Sequence, residues 1–266
     1  MKKYEGYLIC TDFDGTFALP GAKLSDENLE AVRYFQENGG RFTIASGRTS
    51  AFIRELGDRC RPNAPLIAMN GALLCDENDG HILKRFPVSR DLLDVLDDIA
   101  ATGLAQRMSL WNEYEIRDDW HIEDDILPSA HFAALTEPWY KSVIMSDAES
   151  TLKIRDYFLA RYEDRFNCAR SWPGGFEIHS LESGKGESMR AIKEMYNGRI
   201  HTTIGVGDYE NDISLVRDAD IGYAVGNAID EVKAVAKRIT VPNTQHAIAR
   251  IIAELPTITE APCHCE

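Results

Sequence analysis

The chain has 266 residues, 44% hydrophobic and 27% charged, which is a globular composition with enough length for one large core or two modest ones. Its 29 Lys and Arg stand against 43 Asp and Glu, and the resulting charge of −14 repels polyanions, arguing against broad binding to nucleic acid or anionic membranes. No uncharged stretch approaches the roughly 20 apolar residues of a membrane span, and the short apolar run at 7–11 fits no signal peptide.

In chain order, Tyr7-Leu8-Ile9-Cys10-Thr11 reads as a buried first strand ending at Asp12. Ser25 is placed to cap a helix whose first turn carries Asp26 and Glu27, with Leu29, Val32 and Phe35 at helical spacing and Gly39-Gly40 as the stop. Phe42-Thr43-Ile44-Ala45 is the second strand, with a helix after Arg48, and Leu66-Ile67-Ala68-Met69 is a third, ended by Asn70-Gly71. Residues 85–184 differ in character. They hold all four tryptophans (Trp111, Trp120, Trp139, Trp172), and their strand candidates at 142–145 and 175–179 are mixed with irregular acidic stretches. The first pattern then returns, with a helix near 186–196, a strand at 203–206, a helix over roughly 210–218 and a strand at 221–224. A helix near 229–237, a strand at 239–241 and a final helix complete it. Such alternation predicts an α/β, doubly wound parallel sheet built from 1–84 and 185–266, with a second, α+β domain inserted at 85–184.

The chemistry-bearing residues gather at the ends of these predicted strands. Asp12-Phe13-Asp14-Gly15-Thr16 follows the first one directly, where ligands bind in open α/β sheets. Two carboxylates two residues apart can divide the work, one attacking phosphorus and the other handling a proton, and both are hard oxygen ligands suited to magnesium. Taken alone, Asp-x-Asp-Gly is shared with calcium loops and plain turns. Gly205-Val206-Gly207-Asp208-Tyr209-Glu210-Asn211-Asp212 brings two more acids and an amide to a second strand end. A capped helix start explains one of these acids but not both. Ala45-Ser46-Gly47-Arg48 offers a hydroxyl and free amides at a helix start, a natural phosphate cradle. Lys185, between Gly184 and Gly186, supplies a positive charge for a phosphoryl group in transit.

Four such segments in this order resemble the motifs of the haloacid dehalogenase (HAD) superfamily, and the resemblance spans nearly the whole chain. The Ala-Ser-Gly-Arg form of the second motif, Asn70-Gly71, Gly207-Asp-x-x-Asn-Asp and the insertion between motifs two and three look most like the Cof-type (subclass IIB) phosphatases. By that resemblance Asp12 is the nucleophile and Asp14 the general acid/base, with Lys185 completing the catalytic set. Phosphate would be held by the Phe13 amide, Ser46, Gly47, Arg48, Lys185 and Asn211. Magnesium would be held by Asp12, the Asp14 carbonyl and Asp208, with Asp212 supporting the metal or orienting Lys185. The ending departs from the pattern: many Cof-type chains read Asn-x-x-Asp-Gly-Val where this one has Asn243-Thr244-Gln245-His246-Ala247-Ile248.

The expected protein is a Rossmann-like core with an inserted cap, acting on a small phosphate ester in the cytoplasm, without nucleic-acid or membrane partners. A phosphomutase and a non-catalytic regulatory protein of the same fold are the alternatives, and the oligomeric state stays open. Substrate choice falls to the cap, where Trp111, Trp172, Glu177 and His179 are candidates to face the cleft, though each also suits plain packing or a solvated face. The six cysteines are too scattered for a disulfide framework. Cys263-His264-Cys265 lacks a fourth ligand and reads as a terminus rather than a metal site.

Overall fold

Tyr7–Thr11 is buried along its whole length, as a strand must be when it has neighbours on both edges and other layers on both faces. In the computed structural model, which describes residues 2–55, 57–113 and 117–259, this strand is β1. It pairs in parallel with β2 (Arg41–Ile44) along one edge. The connecting helix Asp26–Glu37 begins where expected, with Ser25 Oγ accepting from the Asn28 amide at 3.0 Å, and Leu29, Val32 and Phe35 turn inward. That helix packs on the last one, Ala247–Thr259, and Asn28 Oδ1 caps the newcomer by accepting from the Ala249 amide at 3.0 Å.

The chain then leaves the parallel sheet. Strands β3 (Leu66–Ala68), β4 (Leu73–Cys75) and β5 (Ile82–Arg85) form a small antiparallel sheet. The expected third parallel strand is therefore shorter than 66–69, and it touches β2's sheet only through a bridge between Ala45 and Ile67. Its early end has a backbone cause: Met69, Asn70 and Gly71 all take positive φ, which no strand tolerates.

Next come β6 (Arg107–Asn112), β7 (Arg117–His121), β8 (Trp139–Met145), β9 (Phe166–Trp172) and β10 (Gly175–Ser180). They build an antiparallel sheet in the order β7-β6-β8-β10-β9. One face packs on the helices Leu92–Ala100 and Ala148–Tyr162 around a cluster of its own that includes Leu96, Met108, Trp120, Trp139, Phe158 and Phe176. Sheet and helices share a core that the parallel sheet does not enter, so this is the α+β cap.

Finally the chain returns to the free edge of β1. Strand β11 (Thr202–Gly207) pairs with it in parallel, followed by β12 (Ile221–Ala224) and β13 (Arg238–Ile239), giving the order β13-β12-β11-β1-β2. The helix expected over 210–218 is split into a 3-10 turn, Glu210–Asp212, and an α-helix, Ile213–Asp218. The cause is Asp212, whose Oδ2 turns back to accept from the Asp208 and Tyr209 amides at 2.9 and 3.2 Å. Strand β13 is shorter than 239–241 because Pro242 has no amide to offer the ladder. The Cys263-His264-Cys265 tail lies outside the described residues.

Candidate active site

The carboxyl ends of β1, β2 and β11 converge on one cleft beneath the cap, bounding a cavity of about 590 Å³. Asp12 leaves β1 into a tight turn, Phe13–Phe17, in which Phe13 sends its ring into the core against Phe52. Gly15 is required here twice over. Its φ is +82°, and a Cβ on it would lie 2.4 Å from Asp208 Oδ2. Thr16 donates its hydroxyl to Asp208 Oδ1 at 2.7 Å, so the first and last motifs are tied together.

Lys185 is the charge at the centre. It begins the helix Lys185–Met195 and is buried, donating 2.6 Å bonds to Asp12 Oδ1 and Asp212 Oδ1. Burial by itself would lower the Lys185 pKa, but Asp12 and Asp212 outweigh that and raise it, so the ammonium stays charged. The carboxylates carry the opposite strain. Burial pushes Asp12 well above the usual range, Asp212 and Asp208 add to it, and Lys185 only partly compensates. Asp208 rises to about 7, through burial first and Asp212 second.

Three carboxylates against one lysine leave surplus negative charge in a buried place. Oxygen atoms of Asp12, Asp208 and Asp212 lie within 4.8 Å of one another. All-oxygen donors with excess negative charge fit a hard divalent cation, which would offset the burial and the repulsion that together hold the Asp12 and Asp208 pKa values up.

The remaining expected residues divide into two groups. Ser46 is buried, its Oγ accepting from the Arg48 amide at 3.1 Å, and Gly47 and Asn211 line the same cavity. Asp14 is half exposed, and Arg48, expected at the phosphate, instead grips it with both arms: Nε to Oδ2 at 2.6 Å and Nη2 to Oδ1 at 2.9 Å. The Arg48 guanidinium also stacks 4.0 Å from the centre of the Phe52 ring.

From the cap, Trp111, Trp172 and Glu177 face the cavity, together with Lys141, Val143 and Met145 on one face of β8. His179 does not. It is buried beside Glu177 on the same face of β10 and lines a neighbouring cavity, with Nδ1 2.7 Å from Ser183 Oγ, and burial takes its pKa down from 6.5 to about 4 despite the Glu177 carboxylate. A base whose folded pKa is depressed lets the unfolded chain take up the proton first. The stability it supports is complete above pH 6.5 and drains as pH falls towards 4. Melting curves at pH 7 and 5 should accordingly show a His179→Asn variant losing about 2 kcal/mol less over that interval than the unsubstituted chain. Equal losses in the two proteins would reject this account of His179.

The unusual ending has a role in positioning. Asn243 is buried, its Nδ2 donates to the Ala18 carbonyl at 2.8 Å, and Asn227 joins it by accepting from the Asn243 amide at 2.9 Å and donating to the Gly15 carbonyl at 2.8 Å. His246, left-handed at φ +59°, places its Nδ1 3.0 Å from Ser25 Oγ. The segment thus braces the turn after Asp12.

The fold, the site and their order along the chain define a phosphoryl-transfer hydrolase, and comparison with known proteins agrees. The family profile described as haloacid dehalogenase-like hydrolase matches residues 9–252, and the chain belongs to that family. It is a hydrolase whose relatives include named phosphatases. The chain is similar to the 5-amino-6-(5-phospho-D-ribitylamino)uracil phosphatase YcsE of Bacillus subtilis, at 26% identity over 92% of this chain and 94% of that one. It is similar also to the pyridoxal phosphate phosphatase YbhA of Escherichia coli, at 24% identity over 92% of this chain and 97% of that one. Among solved structures, a haloacid dehalogenase-like hydrolase of Bacteroides thetaiotaomicron superposes with a TM-score of 0.75 at 24% identity, covering 95% of this chain and all of that one. The subclass IIB sugar phosphatase BT4131 gives a TM-score of 0.76 at 18% identity, covering 94% of this chain and 98% of that one. No helix among the described residues is long and apolar enough to cross a membrane.

Proposed function

We propose that this protein is a magnesium-dependent phosphatase that hydrolyses a small phosphorylated metabolite, a sugar phosphate or related ester, through a phospho-aspartate on Asp12. The observation that carries this is the buried Asp12 held by Lys185 at 2.6 Å, at the floor of a cavity that also receives Ser46, Asn211 and the acids Asp14 and Asp208. Asp12 attacks phosphorus and the bond to the leaving oxygen breaks, while Asp14 gives that oxygen its proton. Asp14 then takes a proton from water, whose oxygen attacks phosphorus and returns Asp12 as a carboxylate. Asp12, Asp208 and Asp212, with the Asp14 carbonyl, would hold the magnesium, which when bound offsets negative charge on the phosphate.

The Arg48 pair supports a place for Asp14 in this sequence. Both oxygens of Asp14 are occupied by the guanidinium, which keeps them turned away from a leaving group. Arriving phosphate competes for Arg48, together with Ser46, Gly47 and the Phe13 amide. Loss of the guanidinium leaves the Asp14 oxygens free to face the leaving group.

The cap, taken as 85–184 inserted in a core of 1–84 and 185–266, selects the leaving group. The ester names carried by YcsE and YbhA both contain a flat ring, which the Trp111 and Trp172 walls suit. Buried thiols at Cys10, Cys60 and Cys75 suit a reducing cytoplasm. Turnover in oxygen-labelled water tests the reaction. Labelled inorganic phosphate should be released from a phosphate ester with no bisphosphate activator. Sugar phosphates that isomerise much faster than phosphate appears would make the protein a mutase instead.

A further inference from the structure

We propose that Glu177, a cap residue, positions the phosphate cradle of the core by holding both of its sides at once. Resting on the phosphatase assignment, this gives the cap a part in the reaction of every substrate, including those too small to touch its walls.

Glu177 sits on β10, 2% exposed, and its Oε2 accepts two hydrogen bonds. One comes from Lys141 Nζ on β8 at 2.9 Å, and the same ammonium donates to the Gly47 carbonyl at 2.9 Å. The other comes from Asn70 Nδ2 at 3.0 Å, and Asn70 Oδ1 in turn accepts from Asn211 Nδ2 at 3.0 Å. From a single carboxylate oxygen, one relay reaches Gly47 and the other reaches Asn211. These are two of the residues the proposed reaction needs around its phosphate, contributed by segments that lie far apart in the chain.

The relays are built to hold position. Lys141 and Asn70 are 5% and 2% exposed, so water competes little for their bonds. Asn70 is fixed from below as well, since its amide donates to the Ser46 carbonyl at 2.9 Å while its backbone is kept left-handed at φ +56°. A non-glycine residue in that conformation costs free energy, and such costs are kept where geometry matters to function. Burial acting alone would raise Glu177, but Lys141 and Ser171 bring it below its ordinary value, so the carboxylate is ionised. A buried ion pair contributes little net stability, and folding alone is a poor reason to keep one at the boundary of cap and core.

The test separates positioning from folding with three variants, Glu177→Gln, Lys141→Met and the two combined. Each single change strands a buried charge and should lower the melting temperature, whereas the double change removes both charges and should recover most of it. Inorganic phosphate binding is measured by calorimetry with magnesium present, and kcat/KM is measured on a generic aryl phosphate. Both should be about tenfold weaker in all three variants, the double being no worse than the poorer single, because one relay is being cut in each case. If the double variant regains phosphate affinity and aryl phosphate turnover to within about twofold along with its melting temperature, Glu177 is merely structural and the proposal fails. Phosphate binding without turnover in the unsubstituted chain, still weakened in the variants, would sink the phosphatase assignment and leave the cradle intact. No phosphate binding by the unsubstituted chain overturns both.

Discussion

Substituting Asp12 by Asn should lower phosphate release by at least about 10³-fold, a loss of about 4 kcal/mol of transition-state stabilisation, while leaving the protein folded. The amide keeps the shape of the carboxylate and can still accept from Lys185, but it carries no charge with which to attack phosphorus. Stability should not suffer in proportion. Burial, Asp212 and Asp208 all oppose the Asp12 carboxylate and Lys185 only partly compensates, so the substitution removes one of three crowded carboxylates while Lys185 keeps its 2.6 Å bond to Asp212. The melting temperature is expected to stay level or rise, which is the usual sign of a residue kept for chemistry at a cost in stability. Activity within tenfold of the unsubstituted protein would remove Asp12 from the role of nucleophile.

Stripping divalent metal with a chelator should abolish hydrolysis, by about 100-fold or more, and added magnesium should restore it. The same cluster makes a second measurement possible without any substrate. A cation that binds the folded chain and not the unfolded one raises stability by mass action, about 2.7 kcal/mol at a hundred times its dissociation constant. Magnesium should therefore raise the melting temperature, and an Asp208→Asn variant should lose most of that response, because one charged oxygen ligand is gone and the surplus negative charge beside Lys185 is halved. Full activity in exhaustively chelated protein would defeat the magnesium assignment.

The core side of this site could be read from the sequence because each of its residues lies next to a strand end. Asp12, Ser46 and Asp208 follow apolar runs within a residue or two, and a buried strand that stops on acids or small polar residues is a local pattern. Lys185 between two glycines marks a helix start in the same way. The contacts that join the cap to the core were hidden for the opposite reason. Glu177 is a candidate for the cleft in the sequence but its partner Lys141 looks like an ordinary polar position, and the two meet only because antiparallel register sets Val143 opposite Glu177 and Lys141 opposite His179. No window of sequence contains that register. Asn70 was visible as the end of a strand, but its reach to Glu177 and Asn211 depends on three successive left-handed residues. Glycine excuses only the last of these, so periodicity could not foretell the turn. The 3-10 break at Glu210–Asp212 escaped likewise, since it arises from the back-bond of Asp212 and not from helix propensity.

The pairing of Tyr7 with Thr202 has a consequence for how the protein is made. At roughly 5–20 residues per second, a ribosome needs roughly ten to forty seconds between producing β1 and producing the strand that closes its second edge. For that interval an apolar strand waits with one side open and ready to join a neighbouring nascent chain. The cap suffers no such delay, because its five strands and two long helices come out in one uninterrupted stretch from Leu92 to Ser180. It can fold while the core is still half emerged, and it then hangs from an incomplete sheet until β11 arrives. A chain released at Ser180 would carry every strand of the cap sheet beside a parallel sheet in which one edge of β1 is still open.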